Sequence, residues 1–171
     1  MIDQFITRRI IYLDFDGVLH DEEVYRDFKS GIYLRTPGRT LFEWAPILEK
    51  LLEPHGDVRI VLSTSWVPMK SFIYARKRLS QSLGSRVIGS TFHTRYMRRD
   101  EFMTLPRGVQ IAQDVFRRSP TSWLAIDDDD VNWPPSLRQN LICTDGSKGI
   151  NAPEIQHAIS RWLETTPCDK M

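Results

Sequence analysis

Three short apolar runs in this sequence each end in side chains able to do chemistry. Ile10-Ile11-Tyr12-Leu13 runs into Asp14, Phe15, Asp16 and Gly17; Val58–Leu62 runs into Ser63, Thr64 and Ser65; Trp123–Ile126 runs into Asp127, Asp128, Asp129 and Asp130. Carboxylates at the end of a buried segment are costly unless a cation or a reaction compensates them. Asp14 and Asp16 lie two residues apart at that end, and Gly17 lets the backbone turn sharply against a ligand, which is how an aspartate nucleophile is presented to a phosphate. A hydroxyl after the second run can hydrogen-bond a phosphoryl oxygen without adding charge. Thr64 is the favoured position, with Ser65 beside it, and the pattern leaves Ser63 open. In the acidic run the adjacent anions repel, so a counter-cation is expected. Asp129 and Asp130 read as solvated loop residues. The fourth group is cationic. Arg107 follows Leu105-Pro106 and opens a helical pattern through Val109, Ile111, Ala112, Val115 and Phe116. Its planar fork can hold two oxygens of one phosphate. Arg98 and Arg99 compete for that role.

The elements that must position these groups alternate along the chain. Strands are expected near Ile10–Leu13, Val58–Leu62, Val87–Gly89, Trp123–Ile126 and Leu141–Cys143. Helices are expected over Leu41–Glu53, Pro68–Leu83 with Gly84 as a stop, Arg107–Phe116, and from the cap-like Asn151-Ala152-Pro153-Glu154 to Leu163. Alternation of this kind predicts an α/β fold, a mostly parallel five-stranded sheet with helices on both faces. In such a sheet ligands bind beyond the carboxyl ends of the strands. Asp14, Thr64 and Asp127 each follow a different strand and therefore meet on one edge.

Asp14-Phe15-Asp16-Gly17-Val18, with Ser-Thr-Ser, Pro-Arg-Gly and Ile-Asp-Asp in the same order, resembles the motif set of the haloacid dehalogenase (HAD) superfamily of phosphotransferases. The resemblance spans residues 9–163 and implies a three-layer α/β/α Rossmann-like fold. It also implies a magnesium-dependent phosphomonoesterase working through an aspartyl-phosphate. In that reading Asp14 is the nucleophile, Asp16 the acid and base, and Thr64 and Arg107 hold the phosphoryl group. Mg2+ would be held by the Asp14 side chain, the Asp16 backbone carbonyl and a carboxylate of Asp127 or Asp128. Arg107 stands where the superfamily more often has Lys. The longer strings Asp-Phe-Asp-Gly-Val-Leu-His, Leu-Ser-Thr-Ser-Trp and Trp-Leu-Ala-Ile-Asp-Asp resemble the HAD domain of Swiss-army-knife RNA-repair proteins. That branch implies nucleotide or polynucleotide-end phosphates as substrates. The alternative is a non-catalytic module of the same fold that binds metal or nucleic acid in a repair complex.

The chain has 171 residues, one domain's length, and 23 Lys and Arg against 22 Asp and Glu, so no global charge draws it to nucleic acid or membrane. Its apolar runs are too short to span a bilayer, and Arg8-Arg9 leads straight into the first strand without a signal-like apolar region. Cys143 and Cys168 are the only cysteines, which fits a reducing compartment and a cytoplasmic location. Residues after Thr165 are expected to fray. Two connections are long. Residues 19–40 carry His20, Tyr25, Arg26, Arg35 and Arg39, and residues 90–106 carry Phe92, His93, Arg95, Tyr96, Arg98, Arg99 and Phe102. Neither is long enough for a large cap domain. Mixed rings and cations in the second suit a nucleic-acid strand, with Arg95, Arg98 and Arg99 as phosphate contacts; a solvated basic face is the plainer reading. Trp66 and Trp133 are expected to pack in the core or flank the site, and His20, beside the Asp16-Gly17 turn, either touches a ligand or, in the plainer reading, is structural or faces solvent.

Overall fold

The first strand, β1 (Arg9–Leu13), is buried along its whole length. Only a strand flanked on both sides and covered on both faces has that profile, and the computed structural model, which describes residues 9–165, places it at the centre of a five-stranded sheet. In chain order the elements are β1, β2 (Val24–Asp27), β3 (Gly31–Leu34), α1 (Ala45–Leu52), β4 (Val58–Leu62), α2 (Trp66–Met69), α3 (Phe72–Lys77), α4 (Gln81–Arg86), β5 (Val87–Ser90), α5 (Arg99–Thr104), α6 (Arg107–Arg118), β6 (Ser122–Asp127), β7 (Leu141–Cys143) and α7 (Pro153–Glu164). The sheet runs β5-β4-β1-β6-β7, and every pairing in it is parallel.

Alternate residues of β1 feed opposite layers, as the period of two requires. Ile11 and Leu13 join a large core with Leu48 and Leu52 of α1, Ile159 and Leu163 of α7, and Ala75 and Leu83. Ile10 and Tyr12 face the other way, against Ile111 of α6 and Trp133. The result is the three-layer α/β/α arrangement. Among the described residues no helix is long and apolar enough to cross a membrane. The expected frayed tail and Cys168 lie outside the described residues.

Several expected elements are corrected. The single helix over Pro68–Leu83 is three short helices, because Ser71 and Ser80 each restart the chain as caps, accepting from the N–H groups of Tyr74 and Leu83. Gly84 lies inside α4 and does not stop it. The helix expected from Leu41 starts at Ala45, after Phe42 takes a left-handed φ of 62°. Residues 19–40 are not a plain loop: β2 and β3 form an antiparallel hairpin, closed by the Asp27 carboxylate accepting from the N–H groups of Lys29 and Ser30. The segment 90–106 contains the short α5.

Candidate active site at the carboxyl edge of the sheet

Strand register does most of the assembly. Leu13 stands level with Leu62 on one side and Ile126 on the other. Asp14 N–H then donates to Ile126 O (3.1 Å), and Ser63 N–H donates to Leu13 O (2.9 Å). The first residues past β1, β4 and β6 are thereby locked side by side. Because the chain builds outward from β1 to β4 and β5, then returns to place β6 on the opposite flank, Asp14 and Asp127 straddle the point where strand order reverses, the usual binding crevice of open α/β sheets.

Asp14 is 3% exposed and Asp127 1%. One carboxylate oxygen from each of Asp14, Asp127 and Asp128 falls within 4.8 Å of the others. Arg107, at the first turn of α6, reaches between them: its Nη2 donates to Asp14 Oδ2 at 3.3 Å, and its Nε lies 3.2 Å from Asp127 Oδ2. The second approach is an ion pair without hydrogen-bonding geometry, so the buried Asp127 Oδ2 receives no donor. Burial is the main cause that raises the pKa of all three acids. It pushes Asp14 up to about 6, against the opposing pull of Arg107, and Asp128 up to about 7, where the Asp14 and Glu22 charges add to it. Asp127 is held well above the usual carboxylate range by burial and then by Asp14. With all three carboxylates ionised, one guanidinium would leave two negative charges uncompensated, which is the state that the raised pKa values oppose. A divalent cation matches that deficit, and an all-oxygen donor set with an orphaned buried oxygen suits a hard ion such as magnesium.

The side chain of Asp16 stands outside this cluster. Its Oδ1 accepts from the Trp66 indole N–H at 2.8 Å and lies 3.0 Å from His20 Nε2. His20 is fully buried, and its Nδ1 accepts from the Phe42 backbone N–H at 3.2 Å. A ring nitrogen that accepts carries no proton, so the neutral ring has its proton on Nε2, aimed at Asp16. The left-handed Phe42 is what turns that N–H toward the ring. Phe15, Phe42 and Trp66 pack edge-on around one another, with His20 against Phe42. With both donors on Oδ1, the other oxygen of Asp16 is left to exchange a proton with a ligand. Sequence reasoning names His20 and Trp66 but not their contacts to Asp16, and it misses Phe42. The one signal was an aromatic residue right after the hydroxyl run, together with a histidine four residues from Asp16.

The remaining expected site residues sort by distance from this edge. Thr64 is buried and its hydroxyl helps hold the Asp14 charge. Ser63 is completely buried with an unpartnered Oγ, while Ser65 is half-buried and lines a cavity with Asp16. Gly17 has φ 68°, and a Cβ there would collide with the Asp128 carboxylate, so only glycine fits. Thr144 Oγ1 pins the same turn by donating to Gly17 O at 2.8 Å. Arg98 is exposed and paired with Asp100 and Glu101, and Arg99 is exposed at the start of α5. Arg95 lines a larger groove of about 750 Å3 that contains none of the clustered acids. Asp129 is exposed and Asp130 pairs with Arg138, as loop residues do. Trp133 packs in the second core.

Comparison with known families gives a match over residues 10–155 to the model described as the HAD domain in Swiss Army Knife RNA repair proteins. Comparison with curated proteins and with solved structures gives no match.

Proposed function

Since the chain belongs to the HAD domain family found in Swiss Army Knife RNA repair proteins, we propose that it is a magnesium-dependent phosphomonoesterase acting through an aspartyl-phosphate. The observation that carries this reading is the division of labour between two aspartates two residues apart. Asp14 sits among Arg107, Asp127 and Asp128, while Asp16 turns away to N–H donors with one oxygen free.

Asp14, Asp127 and Asp128 would hold the ion, with the Asp16 backbone carbonyl as a further ligand. The ion supplies charge neutralisation that lets an anionic carboxylate approach an anionic phosphate. Asp14 attacks phosphorus, the bond to the ester oxygen breaks, and the free oxygen of Asp16 delivers a proton to the departing alkoxide. Asp16, now ionised, takes a proton from water as that water attacks the phosphoryl group, releasing phosphate and restoring Asp14. Thr64 and Ser65 donate to phosphoryl oxygens, and Arg107 exchanges part of its contact with Asp14 for the phosphate. The proposed substrates are nucleotides or polynucleotide ends, and the exposed free Cys143 is in keeping with a reducing, cytoplasmic setting.

Phosphate release from p-nitrophenyl phosphate, with and without Mg2+, tests the reaction. Release is expected only with the ion and is expected to vanish in Asp14→Asn, with the far-UV circular dichroism unchanged. Equal release from pure Asp14→Asn would overturn the mechanism. No release from the unaltered chain, alongside stabilisation by Mg2+, would make it a metal-binding module.

A further inference from the structure

The position of the acid determines where a leaving group must lie. Asp16 has to reach the ester oxygen, so the group attached to that oxygen occupies the cavity that Asp16 lines. This cavity has a volume of about 250 Å3, with Val24, Arg26 and Ile32 of the hairpin on one wall and Trp66 and Lys70 on the other. Pockets for whole small ligands run to about 300–1,000 Å3, so the space suits a fragment of a substrate.

Its lining carries two cationic side chains, Arg26 and Lys70. Arg26 pairs across the hairpin with Ile32 and shares its strand face with Val24. Val24 and Ile32 pack on the main core, so the face that leans over the site ends in a guanidinium. On the facing wall Lys70 closes α2, the short helix that follows Ser65. Neither Arg26 nor Lys70 forms an ion pair among the described residues, and the Lys70 ammonium lies 5.8 Å from the centre of the Tyr74 ring. The one carboxylate that lines the cavity, Asp16, already receives two N–H groups. Two unpaired cations on opposite walls of a leaving-group cavity select an anion.

We propose that the cavity between the hairpin and α2 is a second anion subsite, so that the preferred substrate is a phosphomonoester whose leaving group carries a further phosphate held between Arg26 and Lys70. The proposal rests on the phosphatase reading above and names the substrate class for it. The same chemistry is offered by a small bisphosphate and by a nucleic-acid end, where an internucleotide phosphate neighbours the terminal one.

The test compares kcat/KM for a nucleoside 3′,5′-bisphosphate, the matching 3′- and 5′-monophosphates, and a dinucleotide bearing a terminal phosphate. A preference of about tenfold or more for the doubly charged substrates is expected, in line with charge-assisted contacts, and added salt should shrink it. In the double variant Arg26→Gln, Lys70→Gln the ratio should fall to about twofold or less, since its charges are gone. A bisphosphate preferred while the dinucleotide is not identifies the small-molecule source; equal preference identifies the nucleic-acid end. No discrimination by the unaltered chain, or a ratio unchanged in the double variant, overturns the subsite. If no ester, p-nitrophenyl phosphate included, is turned over, the phosphatase reading fails and calorimetry decides the subsite alone. Nucleoside 3′,5′-bisphosphate titrated in the presence of Mg2+ should then bind about tenfold more weakly to the double variant, and equal affinity would reject the proposal.

Discussion

Asp14 and Asp16 have the same side chain and opposite surroundings, and that difference is worth testing one contact at a time. Arg107 stands between two buried carboxylates and faces the place a phosphoryl group would enter. Loss of one charge-assisted contact costs about 1.5–3 kcal/mol, so Arg107→Ala should lower kcat/KM by about ten- to a hundredfold in a phosphate-release assay. Arg98→Ala and Arg99→Ala should stay close to the unaltered chain, because both side chains are exposed and Arg98 is paired within its own loop. A crippled Arg98 or Arg99 variant beside a mild Arg107 variant would reassign the cation. His20 is a positioning residue: it touches Asp16 and no substrate. His20→Phe keeps a buried ring but removes the Nε2–H, and should lower kcat about tenfold while leaving the Mg2+-induced rise in Tm intact. A fall in both together would mean the ring merely supports the fold. Sequence spacing placed Asp14, Thr64 and Arg107 well. It named His20 without fixing its role, because that role depends on a backbone N–H twenty-two residues away.

At the scale of elements, the geometry of the candidate site depends on how α6 is seated. Asp114 is completely buried beneath that helix. It accepts from Tyr12 Oη (3.0 Å), Arg117 Nη2 (2.8 Å) and Arg118 Nε (2.6 Å), with His93 Nε2 at 3.5 Å. Burial and the Asp114 charge raise the Tyr12 hydroxyl well above its usual pKa, so it stays a donor. The network ties the helix that begins with Arg107 to the strand that ends at Asp14. Asp114→Ala should destabilise the chain by about 2–4 kcal/mol in urea unfolding, the lower part of the range for a broken buried pair because Arg117 is partly solvated. It should also lower kcat/KM through the displaced Arg107. Stability unchanged by the substitution would mean the buried charge is compensated in some other way. The helical spacing of Val109, Ile111, Ala112, Val115 and Phe116 identified the helix but did not by itself define its buried face. Phe116 is 87% exposed, whereas Gln110 and Asp114 are buried. Apolar periodicity cannot report a face that is buried through polar partners. The hairpin was illegible for a related reason: its four-residue strands mix Arg and Asp with Val and Tyr and find each other through an Asx turn.

For the whole molecule the acidic cluster sets how stability responds to pH and to cations. Asp14, Asp127 and Asp128 all have pKa values raised by folding, Asp14 to about 6 and Asp128 to about 7. Between the ordinary carboxylate range near pH 4 and about pH 7 the folded chain therefore binds more protons than the unfolded one, and stability falls as pH rises through that window. The lowered pKa values of Asp27, Asp100 and Asp145 act below it. Without divalent ions, Tm should be higher at pH 5 than at pH 7.5. Mg2+ at about a hundred times its Kd should add about 5–10 °C at pH 7.5, by mass action on a chain of this size, and much less at pH 5, where protons compete for the same oxygens. A cation-free Tm that rises from pH 5 to pH 7.5, or an equal Mg2+ effect at both, would contradict the electrostatic account.

The local pattern by itself determined the five strands of the central sheet, their order in the chain, and the residues at their ends. A buried parallel strand must be apolar throughout, and so its polar terminus stands out in the sequence. The five-stranded sheet and the meeting of Asp14, Thr64 and Asp127 on one edge follow from that and from the rule that parallel strands point one way. Only the tertiary structure decided what surrounds each of those groups. Register put Asp127 beside Asp14, a left-handed Phe42 oriented His20 toward Asp16, and a hairpin brought Arg26 opposite Lys70. These are contacts between segments far apart in the chain, selected by packing and by the cost of leaving buried polar groups unpaired. No spacing along one strand or helix encodes them.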